Sequence, residues 1–474
     1  PVDDVAEPAR QALEHAGDRA LALNAYSAAA RFYEQAVELW PDSTLERARL
    51  LFRVGRARYL AWQGGEAALE AAVVALRNAG DIETAAEAET TLFEARSRKG
   101  QRDLGDAHLA KAWALLEHAP PSRPKAIVLM NMALSNMLAS RHEQVVETGR
   151  HALEMADLLG LDAIRAAVLD ITGVSRVALG DRAGIGDIER AAEIAANANA
   201  PYEVARAYNN LAAVLSTLGD LHAGRQAHAE CIRVSERYGQ AVWRRWQRPV
   251  EVWFAYLDGK WDKAAAIADE VLDLDRGSSD YTTGDLLGLR ALVRLGRGDP
   301  QGAFADAERS VELSRPVRDP QALYGPLLDA SYVAVAAGQL EWGTALVEEW
   351  LAFARGPISV TVSDAGLLHV AWTMGLLGRS DELLAVLEDE SGTKWVDTAR
   401  AFAAGELELA ADLCAQMECR PEEAYARLRL AERLAADGSR AEAEKELLAA
   451  LAFYRSVGAT HYIREGEALL AATA

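Results

Sequence analysis

The stretch "NNLAAVLSTLGDLHAGRQAH", residues 209–228, predicts the end of one helix, a tight corner and the start of a second helix. Leu211, Ala212 and Leu215 recur at the spacing of one apolar helix face. Gly219 can adopt the left-handed backbone that ends a helix, and the Asp220 carboxylate can cap the helix that follows. The stretch therefore predicts a helical hairpin.

Similar corners recur along most of the chain. From Gly100 to Gly378 their spacing is 39 or 40 residues, and the first interval, from Gly64 to Gly100, is 36 residues. The corner residues in between are Ser140, Gly180, Gly219, Gly259, Gly298 and Gly338. Because a fixed period of this length is typical of stacked repeats, we predict an all-α, right-handed superhelix of antiparallel helix pairs, an α-solenoid.

The spacing also predicts how the chain is divided. We expect regular repeats over residues 1–378 and shortened or irregular repeats over 379–420, because the next corners, Gly405 and Gly438, follow after only 27 and 33 residues. Residues 421–474 are expected to form a final repeat and a C-terminal capping helix, since the last repeat of a solenoid exposes an apolar edge.

Composition excludes several classes of function. The formal charge is -21, from 50 basic and 71 acidic side chains, so we expect no nucleic-acid partner. No apolar run reaches the roughly 18 residues of a spanning helix, so we expect no membrane partner and a cytoplasmic protein. The three cysteines are too few for a disulfide framework and are expected to be small buried side chains. The first residue is Pro1, so we expect a piece of a longer polypeptide.

Motifs for catalysis, metals and cofactors are missing from the sequence. It contains neither a phosphate-binding GxxxxGK[ST] loop nor an HExxH pair, and "GIGDIE", residues 184–189, is interpreted as a loose turn. No nucleophile is spaced to meet a base. We therefore predict no cofactor, no metal and no enzymatic activity.

One segment departs from the acidic background. "AVWRRWQRPVEVWFAYLDGKW", residues 241–261, contains four of the eleven tryptophans and a small excess of basic side chains. Its Pro249 lies within a predicted helix, where proline is costly. The segment is a candidate for a binding surface.

The best-formed unit resembles a known repeat. In "NAYSAAARFYEQAVELWP", residues 24–41, Ala29, Tyr33, Ala36 and Pro41 have the spacing of the small, aromatic, small and proline residues of tetratricopeptide repeats, here in a longer form of about 40 residues. The ends, "HAGDRALALNAYSAAARFYEQAVELWP" and "AEAEKELLAALAFYRSVGATHYIREGEALLAATA", resemble the C-terminal tetratricopeptide region of bacterial multidomain signalling proteins with an adenylate/guanylate cyclase-like or ATPase module.

That resemblance implies which positions face the inner groove of the superhelix. When each corner glycine is aligned with its position in the family, the groove or ligand-binding residues are expected to be Arg206, Asn209, Trp246, Trp253, Tyr256, Asp285, Tyr332 and Trp372. If so, Trp246, Trp253 and Tyr256 are partly accessible to solvent. The alternative is that the aromatic residues among these fill the core.

Two functions are compatible with the sequence. The first is a non-catalytic interaction and regulatory arm that binds a protein or peptide, or an upstream ATPase or cyclase domain of the same chain, in its groove. The second, also implied by resemblance, is the small-molecule sensor domain of an ATPase-type transcription activator. A sensor requires a pocket closed by converging polar groups, whereas a protein-binding arm tolerates an open groove.

Overall fold

The protein is all-helical in the computed structural model, which describes residues 3–41, 44–274, 281–356, 365–388, 390 and 392–473. These residues form 25 α-helices and one short 3₁₀ helix, and none of them forms a strand. The predicted all-α solenoid of antiparallel helix pairs is confirmed. Among the described helices, none has the length and apolar character needed to cross a membrane.

The helices follow one another with short connections. The first thirteen are α1 Asp3–Ala22, α2 Tyr26–Leu39, α3 Leu45–Leu60, α4 Glu66–Asn78, α5 Ile82–Arg98, α6 Arg102–Leu116, α7 Arg123–Leu138, α8 His142–Leu159, α9 Asp162–Ala178, α10 Gly184–Asn197, α11 Pro201–Thr217, α12 Leu221–Arg237 and α13 Ala241–Leu257. The remaining twelve are α14 Trp261–Leu274, α15 Thr283–Gly296, α16 Pro300–Ser314, α17 Pro320–Ala336, α18 Leu340–Ala354, α19 Gly366–Leu376, α20 Ser380–Leu387, α21 Lys394–Ala403, α22 Leu407–Met417, α23 Arg420–Ala436, α24 Arg440–Val457 and α25 Thr460–Thr473.

The corners between paired helices have the backbone that the sequence predicts. Every corner residue named above has a positive φ, from 56° at Ser140 to 89° at Gly180. After Gly219, the Asp220 carboxylate accepts a hydrogen bond from the backbone N–H of Ala223, so the next helix is capped as expected.

The interpretation of residues 184–189 as a loose turn is wrong. These residues begin α10, and Gly184 lies where α10 crosses α9. A Cβ atom on Gly184 would come within 2.3 Å of the Gly173 carbonyl oxygen. The glycines that weaken the helix propensity of this segment thus permit a close approach of two helix backbones.

The chain divides into two compact units. Unit 1 comprises Pro1–Leu211 and Ala227–Gln247, and unit 2 comprises Ala212–Gln226 and Arg248–Ala474. This division differs from the one predicted at residues 378 and 420, which stays a prediction. Within unit 1 the buried apolar side chains form several separate clusters rich in alanine. Within unit 2 most of them form one continuous cluster rich in aromatic residues.

In unit 2, late helices pack on much earlier ones. The indole N–H of Trp395 on α21 donates a 2.8 Å hydrogen bond to the Ser216 carbonyl oxygen on α11. The hydroxyls of Tyr332 on α17 and Tyr462 on α25 are 2.7 Å apart. Since Tyr332 and Tyr462 are both buried, the C-terminal helix contributes to the interior of this unit.

Candidate functional site

A continuous set of hydrogen bonds and one ion pair links three A helices, the first helices of their hairpins, with one B helix in unit 1. We call it the polar network, and its members are Asp170, Glu203, Arg206, Asn209, Asn210, His228 and Gln247. The Gln247 amide donates to Asn209 Oδ1 at 2.6 Å, and the Asn209 amide donates to Asn210 Oδ1 at 3.1 Å. The Asn210 amide in turn donates to Asp170 Oδ2 at 2.8 Å.

Arg206 is the cation of this network. Its Nε donates to Asp170 Oδ2 at 3.2 Å, and its Nη2 lies 2.6 Å from Glu203 Oε2. Burial raises the pKa of Asp170 to about 6, although Arg206 acts in the opposite direction. Burial likewise raises the pKa of Glu203 against the effect of Arg206. A single guanidinium therefore serves two carboxyl groups, the buried Asp170 and the half-buried Glu203.

In unit 1, buried acceptors on the A helices α7 and α9 have no partner. Asp170 Oδ1 and Asn131 Oδ1 make no hydrogen bond, and their residues are almost completely buried, with exposed fractions of 1% and 0%. A buried acceptor without a donor costs about 1–3 kcal/mol. The interior of unit 1 thus has unused capacity to accept hydrogen bonds.

Unit 1 curves so that distant A helices face each other. The side chains of Tyr59 on α3 and Tyr202 on α11 lie close enough that Tyr202 contributes, after burial, to raising the pKa of Tyr59. Glu94 on α5 lies in the same region: burial raises its pKa, while the Tyr59 hydroxyl and the nearby guanidinium groups of Arg56, Arg98 and Arg206 act to lower it. The inner wall of unit 1 is therefore polar and charged.

The interior of unit 2 is aromatic. Six rings line a cavity that has room for about one water molecule. We call this set the aromatic cage: Tyr256, Trp261, Trp372, Tyr425, Tyr454 and Tyr462. The rings of Trp372 and Tyr425 are stacked at 4.0 Å, and those of Tyr454 and Tyr462 at 4.6 Å. Such stacked and edge-on pairs add about 0.5–1.5 kcal/mol each beyond the area they bury.

A charged triplet lies next to the aromatic cage. His369 Nδ1 is 2.6 Å from Asp329 Oδ1, and His369 Nε2 is 3.8 Å from Glu422 Oε1. Burial alone would lower the pKa of His369, but Asp329 and Glu422 outweigh it and raise the pKa to about 9. The imidazole is therefore protonated at neutral pH and stacks on the ring of Tyr332.

The residues predicted for the groove have different surroundings. Arg206 and Asn209 belong to the polar network, where Arg206 is buried and Asn209 is half-buried. Trp246 is half-buried against an apolar cluster of unit 1. Trp253 is half-buried against the core of unit 2, and Asp285 is half-buried on α15. The expected partial accessibility of Trp246 and Trp253 agrees with the structure.

The other three predicted residues are buried. Tyr256 is only 6% exposed, so the expectation of partial accessibility is wrong for it. Tyr332 and Trp372 are buried as well, at 2% and 4%. The physical reason is that helices α23 to α25 bring Tyr425, Tyr454 and Tyr462 against them and fill the space that an open groove would leave. The core-filling alternative describes these three residues.

Sequence reasoning missed the charged partners at both sites. Asp170 and Asn210 are 40 residues apart, as are Asp329 and His369, and each pair is hydrogen-bonded between neighbouring A helices. Polar residues that recur at the repeat period on a face otherwise apolar are the signal that would have found them. Glu422 follows the irregular spacing after Gly378 and has no such signal.

Other candidate chemistry gives no site. Among the described residues, no three His, Cys, Asp or Glu side chains are placed to hold a metal ion. The cysteines Cys231, Cys414 and Cys419 are buried and not disulfide-bonded, as expected for small core side chains. Burial raises the pKa of the Cys231 thiol to about 12, so it is not a nucleophile at neutral pH.

Comparison with known proteins adds neither a family nor a function. The sequence matches no protein-family model and no curated protein. The structure is similar to yeast Tom70 (TM-score 0.36, 14% identity, 86% of this chain and 97% of that one). It is also similar to the human IFIT1 dimer with PPP-AAAA (0.43, 13%, 85% and 90%) and to the APC/C hetero-tetramer Cut9–Hcn1 (0.45, 11%, 96% and 90%). We draw no functional conclusion from these likenesses.

Proposed function

We propose that the chain is a non-catalytic interaction and regulatory arm of a larger bacterial signalling protein, and that unit 1 binds a partner through its polar network. The partner is a peptide segment of another protein, or of an upstream ATPase or cyclase domain of the same chain. The observation that supports this proposal most directly is the unpartnered Asp170 Oδ1 beside Arg206 and Glu203.

The charge of the network defines the partner's chemistry. Asp170 and Glu203 share the cation of Arg206, and Asp170 retains one free acceptor. A guanidinium or ammonium group from a partner would supply both the missing donor and the missing charge. Glu203 and Asn209 are only half-buried, so the network can be reached from solvent. The expected partner is a segment that inserts an Arg or Lys side chain.

The test uses short peptides that differ in a single side chain. One peptide contains one Arg, and the other contains citrulline, which has the same shape without the charge. We expect fluorescence polarisation to show that the Arg peptide binds more tightly than the citrulline peptide. The Arg peptide should bind at least about tenfold more weakly to Asp170→Asn, because this variant loses one charged hydrogen bond. The matched control is Glu147→Gln, which removes one exposed carboxylate of α8.

Two outcomes would contradict the proposal. Equal affinity for the Arg and citrulline peptides would show that the network does not select a cation. Equal losses in Asp170→Asn and Glu147→Gln would show that the peptide responds only to the general negative charge of the chain. Circular dichroism of both variants verifies that each remains folded.

A second candidate function is a small-molecule sensor, which the aromatic cage favours. Its six rings, with the buried His369 and Glu422 and the half-buried Asp329 beside them, are the aromatic and polar groups that such a pocket requires. In this function a ligand in the interior of unit 2 would change the packing of α23 to α25 against α13 to α19.

A further inference from the structure

The aromatic cage of unit 2 is accompanied by a carboxylate that lacks a hydrogen-bond partner. Glu422 is 0% exposed, and neither of its carboxylate oxygens makes a hydrogen bond. Its nearest described cationic atom is His369 Nε2 at 3.8 Å, which is longer than a hydrogen bond. A carboxylate in this position is costly unless a positive charge or a donor reaches it.

The charges around Glu422 do not balance. The protonated His369 is already paired with Asp329 at 2.6 Å, so one cation stands between two carboxylates. Arg427 and Arg429, on the same helix as Glu422, pair with other carboxylates: Arg427 with Glu423 and Glu446, and Arg429 with Glu432 and Glu465. One negative charge therefore remains without a dedicated partner beside the aromatic cage.

Glu422 lies next to the aromatic cage. Pro421 and Tyr425, on the same turn of α23, line the cavity. The negative charge of Glu422 also acts on Tyr256, another cage residue. Burial raises the pKa of Tyr256, and the charge of Glu422 raises it further. The Tyr454 hydroxyl, which belongs to a further cage residue, is buried and has no hydrogen-bond partner. The unpartnered Tyr454 hydroxyl thus belongs to a residue of the cavity wall, and the unpartnered Glu422 carboxylate lies beside that wall, next to Pro421 on α23.

Aromatic walls with a nearby anion are suited to a cation. The faces of Trp and Tyr rings attract positive charge, and this attraction is stronger where water is excluded. An ammonium group can in addition donate hydrogen bonds to a carboxylate and to a tyrosine oxygen. The space holds about one water molecule, so a bare ammonium group fits and a quaternary ammonium group does not.

We propose that the aromatic cage of unit 2 binds a small ammonium cation, with Glu422 as its counter-ion and Tyr454 as a second acceptor. The cation is either free ammonium or the terminal ammonium group of an amine. The site deepens the sensor candidate and rests on it. It is independent of the polar network, so the peptide experiment can fail while this one succeeds, and the reverse.

The experiment follows tryptophan fluorescence of the full chain, because Trp261 and Trp372 line the cavity. Ammonium chloride is titrated at constant ionic strength against sodium chloride, with methylammonium and tetramethylammonium chloride as further arms. We expect the fluorescence to change with ammonium until it saturates, and not to change with sodium or tetramethylammonium. The response to methylammonium distinguishes free ammonium from the ammonium group of an amine. A saturable response to methylammonium identifies an amine end group, and its absence identifies free ammonium.

Two variants locate the site. Glu422→Gln is expected to weaken ammonium binding at least tenfold, whereas Glu423→Gln, whose carboxylate pairs with Arg427 on the same helix, leaves the affinity within twofold. If Glu422→Gln fails to fold by circular dichroism, Tyr454→Phe replaces it, since it removes only the unpartnered hydroxyl, and a several-fold weaker affinity is expected.

Three results would overturn the proposal. The first is a response to ammonium that does not saturate or that sodium reproduces. The second is unchanged ammonium affinity in a folded Glu422→Gln, or in Tyr454→Phe where Glu422→Gln does not fold. The third is saturation by tetramethylammonium alone. If ammonium binds as proposed but hydrogen exchange of α23 to α25 does not change, the site stands and the sensor function fails.

Discussion

Units 1 and 2 are built from the same helical hairpin, yet their interiors differ in chemistry. In unit 1 the inner A-helix positions hold Asp170, Arg206 and Asn209, and buried acceptors remain unpaired. In unit 2 the A helices place Tyr332 and Trp372 inward from a later position of the repeat, and these rings pack against rings of the C-terminal helices. The repeat therefore fixes the backbone, and the inner side chains determine whether the interior accepts a partner or becomes a core.

The largest expected effect tests this difference with one tryptophan from each unit. Trp372→Ala, in unit 2, should lower the free energy of unfolding by about 3–5 kcal/mol, because it removes a buried ring stacked on Tyr425. Trp246→Ala, in unit 1, should cost about 1–2 kcal/mol, because that ring is only half-buried. Urea unfolding followed by circular dichroism measures both. Equal losses would remove the contrast between the units.

The second prediction concerns the cation of the polar network. Arg206→Met should cost about 3 kcal/mol at neutral pH, because the buried Asp170 and the half-buried Glu203 would both lose their counter-ion. The loss should shrink toward pH 5, since the pKa of Asp170 is already raised to about 6 and rises further without Arg206, so the carboxyl group takes up a proton.

Its control is Arg190→Met, which removes an exposed cation of α10 and should change stability by less than about 0.5 kcal/mol at either pH. A loss in Arg206→Met that does not vary with pH would mean that packing of the side chain, rather than its charge, stabilises unit 1.

The third prediction uses the pH dependence of unit 2. The pKa of His369 is about 9 in the folded protein and near 6.5 when unfolded, so its ion pair stabilises the fold fully below pH 6.5. This contribution, on the order of 3 kcal/mol, should be lost as the pH rises to about 9. The phenol of Tyr332, which stacks on His369, has a pKa well above this range and does not titrate with it.

Urea unfolding between neutral and alkaline pH measures the loss. His369→Gln should flatten the profile, whereas His118→Gln, at an exposed position, should leave it unchanged. A wild-type profile that is flat across this range would show that His369 is neutral and that the charged triplet is not an ion pair.

The smallest expected effect tests how closely two helices of unit 1 pack against each other. Gly184→Ala should cost about 1–3 kcal/mol, because its Cβ would collide with the Gly173 carbonyl where α9 and α10 cross. Gly186→Ala, in the same helix, has open space around its Cβ and should stabilise by about 0.5–1 kcal/mol. Thermal unfolding of the two variants separates them. A neutral Gly184→Ala would mean that the crossing relaxes easily.

The helices and their corners could be predicted because they depend on local chemistry. A glycine or Ser140 at each corner, an aspartate cap and an apolar stripe act within a few residues, and the period makes each occurrence support the next. "GIGDIE" failed for the opposite reason: its glycines serve a contact with Gly173 on the preceding helix, which local propensity does not contain.

The site could be predicted only in part. Repeat register singled out Arg206 and Asn209, which the structure shows in the polar network, while their role in binding stays a prediction. It could not show that Tyr256, Tyr332 and Trp372 are covered, because the covering side chains come from helices α23 to α25, beyond the regular spacing. How far a solenoid curves depends on small rotations that accumulate over many repeats, and no single repeat encodes the sum.

The long-range hydrogen bond from Trp395 to Ser216 has a consequence for how unit 2 folds. The two residues are 179 positions apart, and Tyr332 and Tyr462 are 130 apart. Most solenoids have low contact order and can nucleate anywhere, because each repeat touches only its neighbours. Here the early A helices of unit 2 complete their core only after α21 to α25 have been synthesised. Refolding of this unit should be slow and cooperative, and ribosome-bound chains that end before α21 should expose the apolar surface that those helices cover.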